Sequence, residues 1–289
     1  MPQLFDRVCR VTVGAQVGAI RAGLRVEKHR VAFRVEKTLK PEPNKCELSI
    51  YNLSREQRAQ IEELSVKPDT AAKETGVPVL IEAGYKSTDA SQIFLGDLRT
   101  VSSKRVGADW VTTIESGDGE LAKHNPVAVS YGPQTSPDIA LRAIAKALGV
   151  GEGNVAETAI KLRQSGVGTL FPRRGVLTGS AYDHMTHFAR SAGLEWSIQD
   201  GAIQFVDLNK TLAGTVLKLS KTSGLIDSPQ VDHKGLLTCK MLIQPNVKPG
   251  SLLVLDSATA RGNYRIERAT WEGDTYDIAW YITVEAKRY

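Results

Sequence analysis

The chain has 289 residues, about two domains at roughly 150 residues each, and its 42% apolar and 24% charged residues match a folded globular protein. That balance excludes a disordered tail, a collagen-like repeat and a coiled-coil rod. The 37 basic and 32 acidic residues leave a formal +5 with no run of five or six like charges, so no dedicated nucleic-acid arm is expected.

Apolar Val31, Phe33 and Val35 alternate with Ala32, Arg34 and Glu36, and Cys46, Leu48 and Ile50 alternate with Glu47, Ser49 and Tyr51. The period of two predicts half-buried strands over 31–37 and 46–51, joined by a stiff loop carrying Pro41 and Pro43. Ser54 and Gln57 have the spacing of a capping box and open a short polar helix through 64. Further strands are expected at 77–83, at 92–101 with a bulge at Gly96, and at 110–115.

Ser136-Pro137 supplies an N-cap and a first-turn proline for a helix over 138–148. Its inward stripe is Ile139, Ala143, Ile144, Ala147 and Leu148, and Gly149 stops it. The glycine-rich stretch 149–179, with Pro172, reads as irregular apart from a short helix at 155–163. Ser180 caps a helix over 181–192, and Asp200-Gly201 turns a hairpin between 194–199 and 202–207. Strands return at 237–243, 251–256 and 264–271. A last one spans 276–285, with Tyr276, Ile278, Trp280, Ile282 and Val284 on one face.

The fold class is therefore mainly β with an α+β insertion: barrel-like antiparallel β domains at 1–125 and 209–289 flank a small α+β module at 126–208. Cys9, Cys46 and Cys239 are too far apart for a CxxC pair and odd in number, so reduced thiols are expected. With Asp6, Arg7 and Arg10 interrupting the start and no run of 18 apolar residues, neither a signal peptide nor a membrane span is expected.

Local chemistry is sparse. Asp183, His184 and His187 have helical metal-ligand spacing but supply too few ligands; an N-terminal charge complement and two ordinary histidines are the simpler reading. Gly149-Val150-Gly151-Glu152-Gly153 follows a helix, whereas a dinucleotide loop follows a strand. Neither GxxxxGK[ST], GxSxG nor HExxH occurs, so no catalytic residue, metal or cofactor is expected. Two alternatives stay open: a peptidoglycan hydrolase using the acidic turn Glu115, Asp118 and Glu120, and a single-strand nucleic-acid binder with Tyr51, Tyr85, Phe94, Arg99 and Arg34 as its platform.

The segment Phe33-Arg34-Val35-Glu36-Lys37-Thr38-Leu39-Lys40-Pro41-Glu42-Pro43-Asn44, running into Leu48-Ser49-Ile50-Tyr51-Asn52-Leu53-Ser54, resembles the opening of baseplate hub proteins of tailed bacteriophages, counterparts of the T4 hub. So do the hairpin Leu194-Glu195-Trp196-Ser197-Ile198-Gln199-Asp200-Gly201 and the later Ser223-Gly224-Leu225-Ile226 and Lys248-Pro249-Gly250-Ser251. The resemblance implies a non-enzymatic structural protein of the virion tail baseplate, with a contractile tail preferred. It would be made in the host cytoplasm, and as a homotrimeric ring would join a sixfold tail tube to a threefold spike. Implied partners are a tail tube or distal tail protein, the spike, the tape measure protein, baseplate wedge proteins, and DNA in transit through the bore. Subunit and tail contacts are then expected at Arg34, Glu36, Lys37, Tyr51, Lys248, Asp277, Tyr281 and Thr283.

Overall fold

A computed structural model of the chain describes residues 6–14, 23–66, 76–133, 135–164, 175–214, 216–244 and 246–289. The chain forms two compact units: Met1–Thr38, Asn44–Asp118 and Thr211–Tyr289 make the first, Leu39–Pro43 and Gly119–Lys210 the second.

The first unit is built on strands β1 (Arg7–Val13), β2 (Leu24–Val26), β3 (Val31–Thr38), β4 (Asn44–Tyr51), β5 (Pro78–Tyr85), β6 (Asp89–Val106) and β7 (Asp109–Asp118), with helix α1 (Arg55–Val66) between β4 and β5. On β3 the apolar Val31, Phe33 and Val35 are buried while Arg34 is exposed, as the alternation predicts. The capping box forms: the Ser54 amide donates to Gln57 Oε1 at 2.9 Å, and the Gln57 amide donates to Ser54 Oγ at 3.2 Å. No bulge falls at Gly96, which pairs directly with Val79; the register shifts instead at Ile93 and Arg99, on either side of it.

The second unit contains β8 (Pro126–Tyr131), α2 (Pro137–Leu148), α3 (Val155–Gln164), β9 (Gly175–Ser180), α4 (Ala181–Ser191), β10 (Leu194–Gln199) and β11 (Ala202–Asp207). Positive φ at Asp200 (56°) and Gly201 (77°) gives the tight turn expected between β10 and β11. The Ser180 hydroxyl caps α4 by accepting from the Asp183 amide at 3.2 Å. The Ser136 hydroxyl, by contrast, donates to the Asp138 carboxylate and accepts from no helix amide. The inward stripe of α2 is Ala140, Leu141, Ile144, Ala145 and Leu148, and Ile139 is exposed; the helix is rotated from the expected stripe so that Leu141 packs inward with Met185 and Phe188. The stretch expected to be irregular holds β9, and its residues 165–174, including Pro172, lie outside the described residues.

The chain then returns to the first unit with β12 (Val216–Ser220), β13 (Gln230–Val231), β14 (Leu236–Leu242), β15 (Leu252–Asp256), β16 (Arg261–Asp274) and β17 (Trp280–Arg288). The two end segments, expected as separate barrel-like domains, share one 13-stranded sheet whose main path runs β13-β14-β17-β16-β3-β4-β7-β6-β5-β1-β2. Among the described residues no pairing joins β13 to β2, so the sheet is open rather than a closed barrel. The junction is the antiparallel pairing of β16 with β3, where Trp271 faces Val35 and Gly273 faces Phe33. Phe33, Val35 and Trp271 belong to one apolar core that draws on both ends of the chain.

The last strand begins at Trp280, not 276. The Asp274 amide donates to the Ala279 carbonyl at 2.8 Å, and the Asp274 carboxylate accepts from the Tyr276 and Asp277 amides at 2.9 and 3.2 Å. Residues 275–279 are thus a turn, and Tyr276 and Ile278, which continue the buried parity by coincidence, lie outside the ladder. The three cysteines are free and buried, and burial pushes the Cys9 and Cys239 thiols up to about 12. No helix among the described residues is long and apolar enough to cross a membrane.

The junction makes a direct test possible. A Cβ at Gly273 would lie 2.3 Å from the Phe33 ring, which is buried in the core and edge-on to Trp280 with centroids 5.6 Å apart. Gly273→Ala therefore overpacks the β3–β16 seam and should lower unfolding free energy by about 1–3 kcal/mol, read as a lower urea midpoint.

Candidate functional site

One face of the sheet is buried; the other carries the polar parity of its central strands. Across it, Tyr281, Glu272, Arg34, Glu47, Glu115 and Thr100 are successive partners on β17, β16, β3, β4, β7 and β6. A second row joins Lys240, Thr283, Thr270, Glu36 and Lys45. Each charge meets an opposite charge or a hydroxyl. Arg34 pairs with Glu272, Arg268 lies 3.5 Å from Glu36 and 3.4 Å from Glu285, and Thr100 Oγ1 donates to Glu115 at 3.0 Å. Burial, and then a hydrogen bond with Glu272, raises the Tyr281 hydroxyl above its ordinary pKa. Glu47 directly opposes Glu115, an unfavourable like pair that Arg34 and Thr100 flank. Arg34, Glu47, Glu115, Glu272, Asp277 and Tyr281 border a shallow groove of about 520 Å³ on this face.

Arg34, Glu36, Tyr51, Tyr281 and Thr283, named from the sequence, therefore share one face, and Asp277 stands at its border. Tyr51 is half-buried under the Arg30 guanidinium, 4.5 Å from the ring centroid. Lys37 does not belong to this face. It has the parity of Val35, is only 2% exposed, and places its amine 5.5 Å from the Trp271 ring centroid. Lys248 is exposed in the turn before β15, apart from both rows.

Four residues that sequence reasoning missed, Arg7, Arg30, Asp274 and Thr275, fix the border of the face. Arg30 grips the Asp274 carboxylate, with Nη2 2.8 Å from Oδ2, and Thr275 exchanges two hydrogen bonds with the Val31 backbone, each 3.0 Å long. Arg7 donates to the carbonyls of Asp274 at 2.7 Å and Ile278 at 3.0 Å, and to that of Asp277. Its guanidinium lies 5.5 Å from the Trp280 ring centroid. Asp274-Thr275 is an Asx-turn signal that could have marked the loop; nothing local marks Arg7 as its partner. Burial alone would raise the Asp274 carboxyl, yet the hydrogen bonds from Arg30 and from the Tyr276 and Asp277 amides outweigh it and hold the group below the usual carboxylate range.

The other candidate sites are not assembled. Glu115 is exposed whereas Asp118 is wholly buried beside Asn44, so the acidic turn does not present a facing carboxylate pair. Tyr85 and Phe94 lie in the core, which dismantles the aromatic platform. His184 Nε2 sits 3.0 Å from the Thr178 carbonyl, while Asp183 and His187 are exposed. Among the described residues no three His, Cys, Asp or Glu side chains converge on a metal position.

Comparison with known proteins places this architecture. A family model described as baseplate hub gp41 matches residues 9–286. No curated protein sequence matches the chain. Among solved structures, a 43 kDa tail protein of prophage MuSo2 from Shewanella oneidensis aligns over 97% of this chain and 98% of its own, with TM-score 0.60 and 10% identity. A tail protein from Neisseria meningitidis aligns over 98% and 97%, with TM-score 0.61 and 10% identity. An Escherichia coli type VI secretion component, described as similar to the T4 tail proteins gp27 and gp5, aligns over 91% of this chain and 75% of its own, with TM-score 0.53 and 12% identity. At such identity these likenesses concern the fold.

The geometry gives two expectations. The Arg34 and Glu272 side chains are 52% and 27% exposed, so water screens their pair; Arg34→Ala should change unfolding free energy by less than about 1 kcal/mol, and a larger loss in a denaturant titration would contradict a purely surface role. A depressed carboxyl stabilises the fold above its unfolded pKa, about 3.9 for Asp, and that contribution is lost as pH falls toward the folded value. The loop 275–279 should therefore be held at neutral pH and released below about pH 4, seen as loss of protection at the Tyr276 and Asp277 amides by NMR. Asp274→Asn should abolish that acid step.

Proposed function

From the premise that this chain belongs to the baseplate hub gp41 family, we propose that three copies close into a ring in the phage tail baseplate, joining the tail tube to the spike. The observation that carries this reading is the two-sided sheet. One side is a continuous apolar core, and the other is a broad polar face of mixed charges and hydroxyls.

Such a face is poorly suited to the centre of a protein interface, where charged residues are depleted and desolvated ion pairs return little. It suits a water-filled bore. Arg34, Glu36, Tyr281 and Thr283 then line the passage, with Tyr51 on the same face and Asp277 at its rim. Both signs of charge are mixed on the face and no basic run forms, so it offers DNA no continuous phosphate-binding track as it passes. Lys248, exposed in its turn, is assigned to contact with neighbouring tail proteins, and burial removes Lys37 from the contact set.

On this reading the work is mechanical rather than catalytic. The tube or distal tail protein stacks on one end of the ring and the spike on the other, with wedge proteins outside; the chain is made in the host cytoplasm and acts in the virion. One structural relative, the Escherichia coli type VI secretion component, is described as similar to both gp27 and gp5 of the T4 tail, which supports a place in a tail assembly.

Native mass spectrometry tests the ring. The expected species has three times the 31.4 kDa chain mass, with threefold particles in micrographs. A chain that stays monomeric at high concentration with its tail partners present would contradict it.

A further inference from the structure

The β6–β7 hairpin outruns its neighbours. Strand β5 pairs with β6 only as far as Asp97, with one further bond from the Leu98 amide to the Val77 carbonyl at 2.8 Å, yet β6 continues to Val106. On the other strand of the hairpin, Trp110 turns both backbone groups to Asn52: its carbonyl accepts from the Asn52 amide at 2.7 Å, and its amide donates to Asn52 Oδ1 at 3.0 Å. Those groups point away from β6, which makes Trp110 and its partner Arg105 a non-hydrogen-bonded pair. The Arg105 amide and carbonyl therefore point outward, away from β7, and by the period of two so do those of Ser103 and Val101. Among the described residues no backbone group pairs with them. Val101–Val106 is thus an open sheet edge about 20 Å long, at roughly 3.4 Å per residue.

The edge is accessible and basic. Helix α1 meets the hairpin from the face that Trp110 shares with buried Ile114, where the Arg58 guanidinium lies 4.0 Å from the Trp110 ring centroid, while Ser102, Lys104, Arg105 and Val106 are exposed. Lys104, Arg105 and Arg58 form no ion pair among the described residues. The neighbouring acid, Asp109, is engaged by Asn52 Nδ2 at 2.9 Å on the β4 side. Lysine on a sheet edge ordinarily guards it against pairing. Here the adjacent Lys104 and Arg105 repel another basic edge, a second copy of this one included, and attract a strand that carries carboxylates. The one aromatic ring, already covered by Arg58, is a poor stacking platform, so the unpaired ladder groups favour a protein strand over single-stranded nucleic acid.

We propose that the outer edge of β6, Val101–Val106, takes up an extended acidic strand of a partner protein. Main-chain hydrogen bonds to Val101, Ser103 and Arg105 supply the affinity, and the Lys104 and Arg105 side chains select for charge. Because those two side chains project to opposite faces, the fitting strand carries two acids in succession. This contact does not depend on the ring.

The test uses the full chain and a fluorescein-labelled peptide, Thr-Val-Thr-Glu-Glu-Thr-Val. Fluorescence polarisation should show saturable binding that weakens as salt is raised. At saturation, amide exchange followed by NMR should slow by about tenfold or more at Val101, Ser103 and Arg105, the signature of a new ladder rather than of charge attraction alone. A peptide with Lys-Lys in place of Glu-Glu should not bind. A peptide with proline in place of both inner threonines, which differ in parity so that one loses a ladder donor in either register, should bind about tenfold more weakly or worse. Lys104→Glu with Arg105→Glu, both at exposed positions and checked for an unchanged circular dichroism spectrum, should weaken binding of the acidic peptide by about tenfold or more. No binding at millimolar peptide, binding that leaves the three amides unprotected, or tighter binding of a single-stranded oligonucleotide of the same length would each overturn the proposal.

Discussion

The architecture depends on one pairing, that of β3 with β16, whose partner residues lie 230 to 242 positions apart in sequence, from Thr38 with Arg268 to Ala32 with Asp274. Without it the strands on either side would be two smaller sheets, each with an extra exposed edge and an incomplete core. With it, Phe33, Val35, Trp271 and Trp280 pack into a single apolar layer, and every strand from β14 to β6 inherits a common register. That register aligns Arg34 with Glu272 and Glu36 with Thr270, so the polar face is a product of the seam. The turn at 275–279 depends on it too, because Thr275 and Asp274 are tied to Val31 and Arg30 at the start of β3.

Much of this was legible one strand at a time. Alternation located β3, β4 and the β10–β11 hairpin, and single residues with specific backbone chemistry marked Ser54, Ser180, Gly149 and Asp200-Gly201. What was not legible is what pairs across distance: nothing near Val35 announces Trp271, so two β segments read as two barrels. The buried position of Lys37 was available from parity, since it follows Phe33 and Val35 by steps of two, yet its charge argued for the surface. Tyr276 and Ile278 failed in the opposite sense, because their parity matches Trp280 but an aspartate-capped turn intervenes. Of the candidate site, the residues facing water on β3 and β17 were found, and Arg7, Arg30 and Asp274, whose roles exist only through tertiary contact, were not.

The surface of the first unit divides by chemistry. A field of interleaved charges, hydroxyls and paired arginines is stable while hydrated and costly to dehydrate, whereas a preformed apolar tip gains on losing water. On the ring reading the hydrated strand faces suit a passage, while the exposed apolar side chains of the first unit, such as Tyr276 and Ile278, lie on strand connections.

The most direct measurement is a reconstruction of the virion baseplate at side-chain resolution. The account predicts three copies around the tail axis with Arg34, Glu272, Tyr281 and Thr283 facing the open lumen. A map in which that face is packed against another protein, with the lumen lined by a different part of the chain, would contradict it.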